Sequence, residues 1–385
     1  MKTNLKKLLY SGVTLMSLGV LAACSSTSSS TTTSSSAATS QTSVATTSNN
    51  STSSDSSSST IDWSALPTTE VTLSNDGLKI TEGGTYILTG STTAGVTVET
   101  DANVRIILAG AEISSSDTAA INVINADNVE LEIKDGTTNT VKDTSNHTDT
   151  NIEGAIHVEA DLTITGNGSL TVEGNFQDGI VSTDDLVVNS GNITVTAVDD
   201  GIRGKDSLTI NGGTINVTAG GDGIKSTNDT DTTKGYTTIT GGEITVKAGD
   251  DGIKAETALT IDGGTITVSE SAEALEGTNI TINGGTLDVY GSDDAINASS
   301  TTSSDIYIKV TGGDLKVAVG SGDTDAFDAN GDIYISGGTI AVTAPTSAFD
   351  FDGTAELTGG TVTVNGEQIT QITATGPGAG GHGGW

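Results

Sequence analysis

The chain has 385 residues, 49 Asp and Glu against 15 Lys and Arg, a net charge of −34 and only 3% aromatic residues. Nucleic acid is excluded as a partner, because neutralising phosphates requires a basic surface. One cysteine leaves no disulfide within the chain, and three histidines support no Ser-His-Asp or Cys-His catalytic arrangement. Divalent cations, above all calcium outside the cell, are the natural complement of so acidic a chain.

The first segment has the pattern of a targeting signal. Lysines within residues 2–7 precede the apolar stretch 8–21, which ends in Leu-Ala-Ala-Cys24. This pattern resembles a bacterial lipoprotein signal, so residues 1–23 are predicted to be a signal peptide and Cys24 the site of lipidation. The Ser/Thr-rich residues 24–60 are predicted to form a flexible tether. Together they predict an extracytoplasmic protein held at the membrane by its lipid.

From about residue 70 to residue 372 the chain repeats about every 22 residues, as in "GDDGIKAETALTIDGGTITV" (249–268), which predicts one elongated domain over residues 61–372. Each unit has three short apolar-alternating runs bounded by Gly, Asn, Asp or Ser, the pattern of strands separated by turns. Polar inserts at 228–235 and 299–305 are predicted to be loops. We therefore predict an all-β fold, a right-handed parallel β-helix with three strands per coil. The Gly-rich residues 373–385 are predicted to be a disordered tail.

Two polar positions recur in the unit. One precedes Gly-Gly and is predicted to form a ladder of side chains between coils; it is occupied by Asn211, Asp262, Asn283 and Ser336. The other begins the Asp-Gly-Ile run and is predicted to form a column; it is occupied by Asp178, Asp200, Asp222, Asp251, Glu273, Asp294, Asp325 and Ser347.

The column poses an electrostatic problem. Equivalent residues of successive coils lie about 4.8 Å apart, so neighbouring carboxylates repel by on the order of 3 kcal/mol at an effective dielectric constant near 20. Two forms of compensation are open. One is the basic residue three positions after the aspartate, present as Arg203, Lys225 and Lys254. The other is calcium, since an ion midway between two such oxygens would lie at its usual bonding distance.

The basic residues end at Lys254, so calcium is expected chiefly in the C-terminal half, where "DTDAFDANGD" (323–332) is the densest acidic window. The alternative is that these aspartates form turns and are solvated or salt-bridged. The predicted calcium ligands are Asp199, Asp200, Asp222, Asp250, Asp251, Asp293, Asp294, Asp323, Asp325 and Asp328.

Tyrosines and bases are the candidate carbohydrate-binding residues. In "DIYIK" and "DIYIS", Tyr307 and Tyr334 alternate with inward isoleucines, so both are predicted to point outward at equivalent places on adjacent coils. They could stack on sugar rings or pair with each other across strands. Arg203, Lys225 and Lys254 could contact an acidic sugar. In a calcium-assisted lyase one of them would remove a proton, although surrounding carboxylates oppose the low pKa that such a base needs.

Several stretches carry a family resemblance: "GTYILTG" (84–90), "VRIILAGAEI" (104–113), "LTITGNGSLTV" (162–172) and "DGIRGKDSLTINGG" (200–213). In order and spacing they resemble bacterial calcium-containing parallel β-helix proteins, described as cellulose- and pectin-binding carbohydrate-binding domains and similar in fold to pectate lyases. The resemblance covers about residues 70–365.

The resemblance implies a surface-tethered polysaccharide-binding protein with calcium and without catalysis. We expect residues 61–372 to be the carbohydrate-binding domain, to act as a monomer and to bind an acidic glycan such as pectin, or cellulose. Two alternatives stay open: a calcium-dependent, pectate-lyase-like enzyme, and a structural adhesin with a protein ligand.

Overall fold

The computed structural model describes residues 61–322 and 324–375. The chain divides into a unit Met1–Ser59 and a unit Thr60–Trp385, and all described residues belong to the second. The predicted signal peptide, the tether, Cys24, Asp323 and residues 376–385 lie outside the described residues. Within the described ranges no helix has the length and apolar character needed to span a membrane.

After one 3-10 turn at Trp63–Ala65, the described chain is a succession of short strands. The first twelve are β1 Thr68–Leu73, β2 Leu78–Ile80, β3 Gly84–Thr92, β4 Val96–Glu99, β5 Val104–Ser114, β6 Ile121–Asn125, β7 Asn128–Ile133, β8 Thr138–Lys142, β9 Gly154–Val158, β10 Asp161–Gly166, β11 Ser169–Gly174 and β12 Asp178–Ser182.

The coils of about 22 residues follow, one of them lengthened by the insert at 228–235. They contain β13 Asp185–Val188, β14 Asn192–Ala197, β15 Ile202–Gly204, β16 Ser207–Ile210, β17 Thr214–Ala219, β18 Ile224–Ser226, β19 Tyr236–Ile239, β20 Glu243–Lys247, β21 Ile253–Ile261, β22 Thr265–Glu270, β23 Leu275–Ile282 and β24 Thr286–Gly291. The last strands are β25 Ile296–Ala298, β26 Tyr307–Val310, β27 Asp314–Val319, β28 Asp325–Ala329, β29 Asp332–Ile335, β30 Thr339–Thr343, β31 Ser347–Phe351, β32 Ala355–Leu357, β33 Thr361–Val364 and β34 Glu367–Ile369.

Each strand pairs in parallel with its counterpart one coil away, which gives three stacked faces. Face A contains β2, β4, β6, β9, β12, β15, β18, the first parts of β21 and β23, β25, β28 and β31. Face B contains β1, the first parts of β3 and β5, β7, β10, β13, β16, β19, the last parts of β21 and β23, β26, β29 and β32. Face C contains the last parts of β3 and β5, then β8, β11, β14, β17, β20, β22, β24, β27, β30 and β33. The predicted parallel β-helix is confirmed, and both inserts are loops between faces A and B.

The core consists of like residues stacked on like. On face A, Ile202, Ile224 and Ile253 follow one another in register and are fully buried. Burying one such side chain contributes about 2–3 kcal/mol. Near the C-terminal end the stack widens to aromatic residues, where the rings of Phe327 and Phe349 lie 5.3 Å apart. The 22-residue period returns Ile202 to the position of Ile224, and the insert at 228–235 lengthens the next coil to 29 residues without moving Ile253 from the stack.

The Gly-Gly corner between faces B and C needs glycine for two reasons. Gly213 has φ +97°, and a Cβ there would lie 2.8 Å from the carbonyl oxygen of Gly191 in the preceding coil. The predicted side-chain ladder runs beside this corner, and three of its four predicted residues, Asn211, Asp262 and Asn283, make hydrogen bonds between coils. Asn211 Nδ2 donates to Asn189 Oδ1 at 2.9 Å, and Asn283 Nδ2 donates to the Asp262 carboxylate at 2.8 Å.

The stack ends in a hairpin rather than another coil. Asn365 and Gly366 have φ +52° and +88°, and β34 pairs antiparallel with β33. Two consecutive residues with positive φ are the requirement of a type I′ turn, which Asn-Gly meets best. The Asn365 amide also joins the preceding coil, since its Oδ1 accepts the Ala344 N–H at 3.1 Å and its Nδ2 donates to the Ala344 carbonyl at 2.9 Å. The hairpin thus covers the edge of face C at its last coil.

Candidate functional site

The acidic column lies where the chain enters face A. Asp178, Asp200, Asp222 and Asp251 are all buried there. Along this series, each Oδ1 accepts the backbone N–H of the next aspartate, at 3.1 Å, 3.0 Å and 2.9 Å. The following glycine allows this close stacking, because a Cβ on Gly201 would lie 2.4 Å from the carbonyl oxygen of the glycine one coil on. These carboxylates therefore join coil to coil through the backbone.

The second oxygen of each of these aspartates faces a cation. Every cation bridges two carboxylates: Arg203 contacts Asp178 (2.8 Å) and Glu153; Lys225 contacts Asp200 (2.6 Å) and Asp222 (2.8 Å); Lys254 contacts Asp251 (2.6 Å) and Glu276. Burial alone would lower the pKa of Lys225, but its two carboxylate partners hold it above the ordinary value. In the N-terminal half of the column, compensation therefore comes from the chain's own bases. Each of the three bases that were predicted to contact sugar is therefore already paired with two carboxylates.

The C-terminal half of the column lacks such bases. In register after Lys254, face A places Glu276, Asn297, Asp328 and Asp350. None of the ion pairs in the described ranges includes Asp328 or its neighbour Asp294. The charges of these two carboxylates interact, and no basic side chain in the described ranges pairs with either of them.

Buried carboxylates of both halves have raised pKa values: burial raises that of Asp178 to about 7 although Arg203 pairs with it, so the values at the C-terminal end reflect burial as well as the missing bases. Burial raises the pKa of Asp294 to about 6. It raises that of Asp328 to about 7, and the charges of Asp294, Asp325 and Asp350 add to the effect. Oδ1 of Asn297, the residue in register with Asp328, is buried and has no hydrogen-bond partner. Carboxylate and amide oxygens of this kind are the ligands that a hard divalent cation prefers.

The other predicted calcium ligands are placed less favourably. Within the described ranges, the one set of three carboxylates whose oxygens lie within 4.8 Å of one another is Asp222, Asp250 and Asp251. Two of these three are already bound by the ammonium groups of Lys225 and Lys254. A cation at this set would have to compete with both lysines. The remaining exposed candidates are Asp199 and Asp293.

The two predicted tyrosines share face B but not the expected register. Tyr307 pairs with Asp332, and Tyr334 pairs with Lys309, so the prediction of equivalent positions is wrong by two residues. The reason is that β26 begins at Tyr307, because Asp305 still belongs to the preceding loop, whereas β29 begins at Asp332. Both tyrosines nevertheless line one open groove of about 560 Å³. The Tyr334 hydroxyl donates to Asp332 at 2.6 Å.

Sequence reasoning missed a third tyrosine on this face. Tyr236 is 38% exposed and begins β19, immediately after the first insert. It lines a cavity of about 350 Å³ between the two inserts, together with Asn279, the in-register neighbour of Tyr307. The available signal was only that Tyr236 alternates with the inward Thr237 and Ile239 in "GYTTI". The cavity itself depends on two loops that are distant in sequence.

Sequence reasoning also missed a buried histidine. His147 Nε2 lies 3.0 Å from Asp143 Oδ2, and both side chains are fully buried. The imidazole stacks on Phe176 with ring centroids 4.4 Å apart, and its Nδ1 lies 2.5 Å from the carbonyl oxygen of Ile152. These contacts fix the position of the segment between β8 and β9. The imidazole is fully buried and is therefore not accessible to a substrate.

Comparison with known proteins identifies the family of this chain and a solved structure that resembles it. The model of the carbohydrate-binding domain-containing protein family matches residues 74–326. The chain belongs to this family. A carbohydrate-binding domain-containing protein of Acetivibrio thermocellus is 33% identical over 135 residues, which cover 33% of this chain and 47% of that protein. The match thus spans about half the length of that relative.

A solved structure supports the fold. A polysaccharide lyase-like protein from C. thermocellum, determined as a gadolinium derivative, has a TM-score of 0.53 and 33% identity to this chain. The similarity covers 55% of this chain and 96% of that one. The predicted solenoid and the predicted carbohydrate-binding family are both supported by these relatives.

Proposed function

We propose that this protein binds a polysaccharide without cleaving it, that calcium stabilises its C-terminal coils, and that a lipid on Cys24 tethers it outside the cell membrane. The observation that carries the binding proposal is the face B groove with Tyr307 and Tyr334. A tyrosine offers a flat apolar ring and a hydroxyl, which suit a pyranose with an apolar face and a polar rim. A long face of parallel strands suits a ligand that itself repeats.

The ion pairs argue against the lyase alternative. A base that removes a proton must itself be neutral, and this requires a pKa near the working pH. Lys225 and Lys254 have pKa values above the ordinary one, because burial is outweighed by the two carboxylates that each contacts. The pKa of Arg203 is raised in the same way. All three therefore stay protonated, which supports binding without catalysis.

The C-terminal acidic residues support the calcium proposal. Asp294, Asn297 and Asp328 supply oxygens that no basic side chain in the described ranges contacts, and a divalent cation would satisfy the buried Asn297 oxygen while neutralising the two carboxylates. The membrane tether depends on Cys24, which lies outside the described residues.

Retention on insoluble glycans tests the proposal. The full chain is incubated with cellulose and with pectin gel, in calcium or in chelator, while unsaturated product is followed by absorbance. We expect retention without product, and at least a tenfold weaker retention for the double variant Tyr307→Ala/Tyr334→Ala. Tyr290→Ala is the control, because that tyrosine is 38% exposed but lies on face C. Accumulating product would favour the lyase, and absence of retention on every glycan would favour the adhesin.

A further inference from the structure

The two inserts enclose a groove on the corner between faces A and B. The loop at 228–235 joins β18 to β19, and the loop at 299–305 joins β25 to β26. Between them, β21 and β23 turn the corner as continuous strands. The loops are thus three coils apart, which separates them by about 14 Å at the usual strand spacing. We call this space the inter-loop groove.

The inter-loop groove extends around the corner. Its face B part is the cavity of about 350 Å³ that contains Tyr236, and its face A part has a volume of about 200 Å³ and ends at Lys254. Both parts are lined by Glu256, Thr278 and Thr302, so they form one continuous groove. Its length suits an oligosaccharide of several rings rather than a single sugar.

The loop at 228–235 forms the first wall of the inter-loop groove, and hydrogen bonds hold it in place. Asn228 Oδ1 accepts the backbone N–H groups of Thr230 (3.2 Å) and Asp231 (3.0 Å), and its Nδ2 donates to Asp206 at 2.6 Å. The wall is therefore shaped before any ligand arrives, which lowers the entropic cost of binding.

The loop at 299–305 forms the second wall, and hydrogen bonds hold it in place as well. Ser300 Oγ accepts the N–H groups of Thr302 (3.2 Å) and Ser303 (3.1 Å). The Asn279 amide, oriented with its nitrogen toward carbonyl oxygens, donates to the carbonyl of Asp305 at 2.9 Å and ties this loop to the floor. Both walls are thus preorganised.

The lining favours an uncharged ligand. Hydroxyl and amide groups dominate it, and its charged side chains on the Tyr236 side are the carboxylates of Asp229 and Glu256. The one base lining the other end, Lys254, is already paired with two carboxylates. A uronate would therefore meet negative charge along the groove, whereas sugar hydroxyls can donate to these carboxylates.

We infer that the inter-loop groove binds an uncharged, extended oligosaccharide, with Tyr236 as the stacking platform and with Asp229 and Glu256 accepting hydrogen bonds from sugar hydroxyls. This inference rests on the proposed polysaccharide binding, but it assigns a site separate from the Tyr307 and Tyr334 groove. It also selects the neutral class of glycan at this site.

Calorimetric titration of the full chain with cellohexaose, and with an oligogalacturonide of equal length, tests the inference. We expect Tyr236→Ala to weaken cellohexaose binding at least tenfold, and Tyr290→Ala to leave it within twofold. Wild type should bind the oligogalacturonide at least tenfold more weakly than cellohexaose. The double variant Asp229→Asn/Glu256→Gln should reduce the ratio of cellohexaose affinity to oligogalacturonide affinity at least threefold at low salt. A loss of folding would not produce this change. Thermal melts confirm that each variant is folded.

The outcomes separate this site from the general proposal. If wild type binds cellohexaose but Tyr236→Ala binds it equally well, the site assignment is overturned and polysaccharide binding stands. If the oligogalacturonide binds as tightly as cellohexaose and loses that affinity in Tyr236→Ala, the assignment of a neutral ligand is overturned. If wild type binds no oligosaccharide in solution and no insoluble glycan, both the site and the proposed function fall.

Discussion

Replacing Asp328 with asparagine should stabilise the calcium-free protein at alkaline pH. The substitution keeps the shape of the side chain and removes a carboxylate that no basic residue in the described ranges contacts. Its pKa of about 7, against the ordinary 3.8, corresponds to at most about 4 kcal/mol of unfavourable interaction with the charged form. Asp328 is only half-buried, so solvent screening reduces this to about 2 kcal/mol. For a domain of this size the melting temperature should rise by about 3 °C.

The direction of the pH dependence follows from the same pKa. A carboxyl whose pKa is raised in the folded state contributes stability that is complete below the unfolded value, near 3.8, and is lost as the pH rises through about 7. Asp294, with a pKa of about 6, acts in the same direction. The calcium-free wild type should therefore melt at a higher temperature at pH 5 than at pH 8. In Asp328→Asn this difference should be smaller.

Scanning calorimetry in chelator and in millimolar calcium checks both expectations. Calcium should raise the melting temperature of wild type at pH 8 by mass action, and should raise that of Asp328→Asn less. Asp288→Asn is the control, because that carboxylate is exposed and paired with Lys316. The reasoning is refuted if Asp328→Asn melts below wild type in chelator at pH 8 and responds to calcium as fully as wild type does.

Two further predictions concern stability. Lys225→Met should cost about 3 kcal/mol in urea denaturation, because it leaves two buried carboxylates without their cation; Lys316→Met, in an exposed pair, should cost under about 0.5 kcal/mol, and equal losses would contradict the role of the bridge. Gly213→Ala should cost about 3 kcal/mol, because strain from its positive φ adds to a clash with the preceding coil. Gly110→Ala, at φ +87° with open space around the added methyl group, should cost only about 1 kcal/mol.

The solenoid could be predicted from the sequence because its information is local and repeated. Each unit carries the same alternation, the same Gly-Gly corner and the same acidic start. A unit that departs from the pattern is therefore still recognised from the units on either side of it. The terminal hairpin at Asn365-Gly366 departs from this repeat and is not predicted by it, because a pattern extended from coil to coil does not indicate where the stack ends. The predicted register of Tyr307 with Tyr334 is wrong for a related reason. The motif "DIY" determines which side chains point outward but not where the preceding loop ends.

The site was less predictable because it depends on contacts between coils. Sequence reasoning found both ways to neutralise the acidic column but could not say how far each base reaches. That depends on whether a side chain such as Lys225 contacts carboxylates of its own coil and of the preceding one, and only the structure shows that it does. The inter-loop groove was not predictable, since neither insert forms a cavity alone.

The distribution of charge along the solenoid divides it into two parts with different requirements. In coils up to Lys254 the buried carboxylates of the column are paired with bases, one base to two carboxylates, whereas the described coils from Asp294 onward lack a base at this position. In a solenoid each coil is stabilised mainly by its immediate neighbours, so a cation bound at the acidic end would order that end without being needed elsewhere. Under the proposed calcium binding, the Tyr307 and Tyr334 groove lies on the coils that depend on the ion. Tyr236 lies on a coil whose buried column carboxylate is paired with Lys225, so one molecule would combine a calcium-dependent glycan contact with a calcium-independent one.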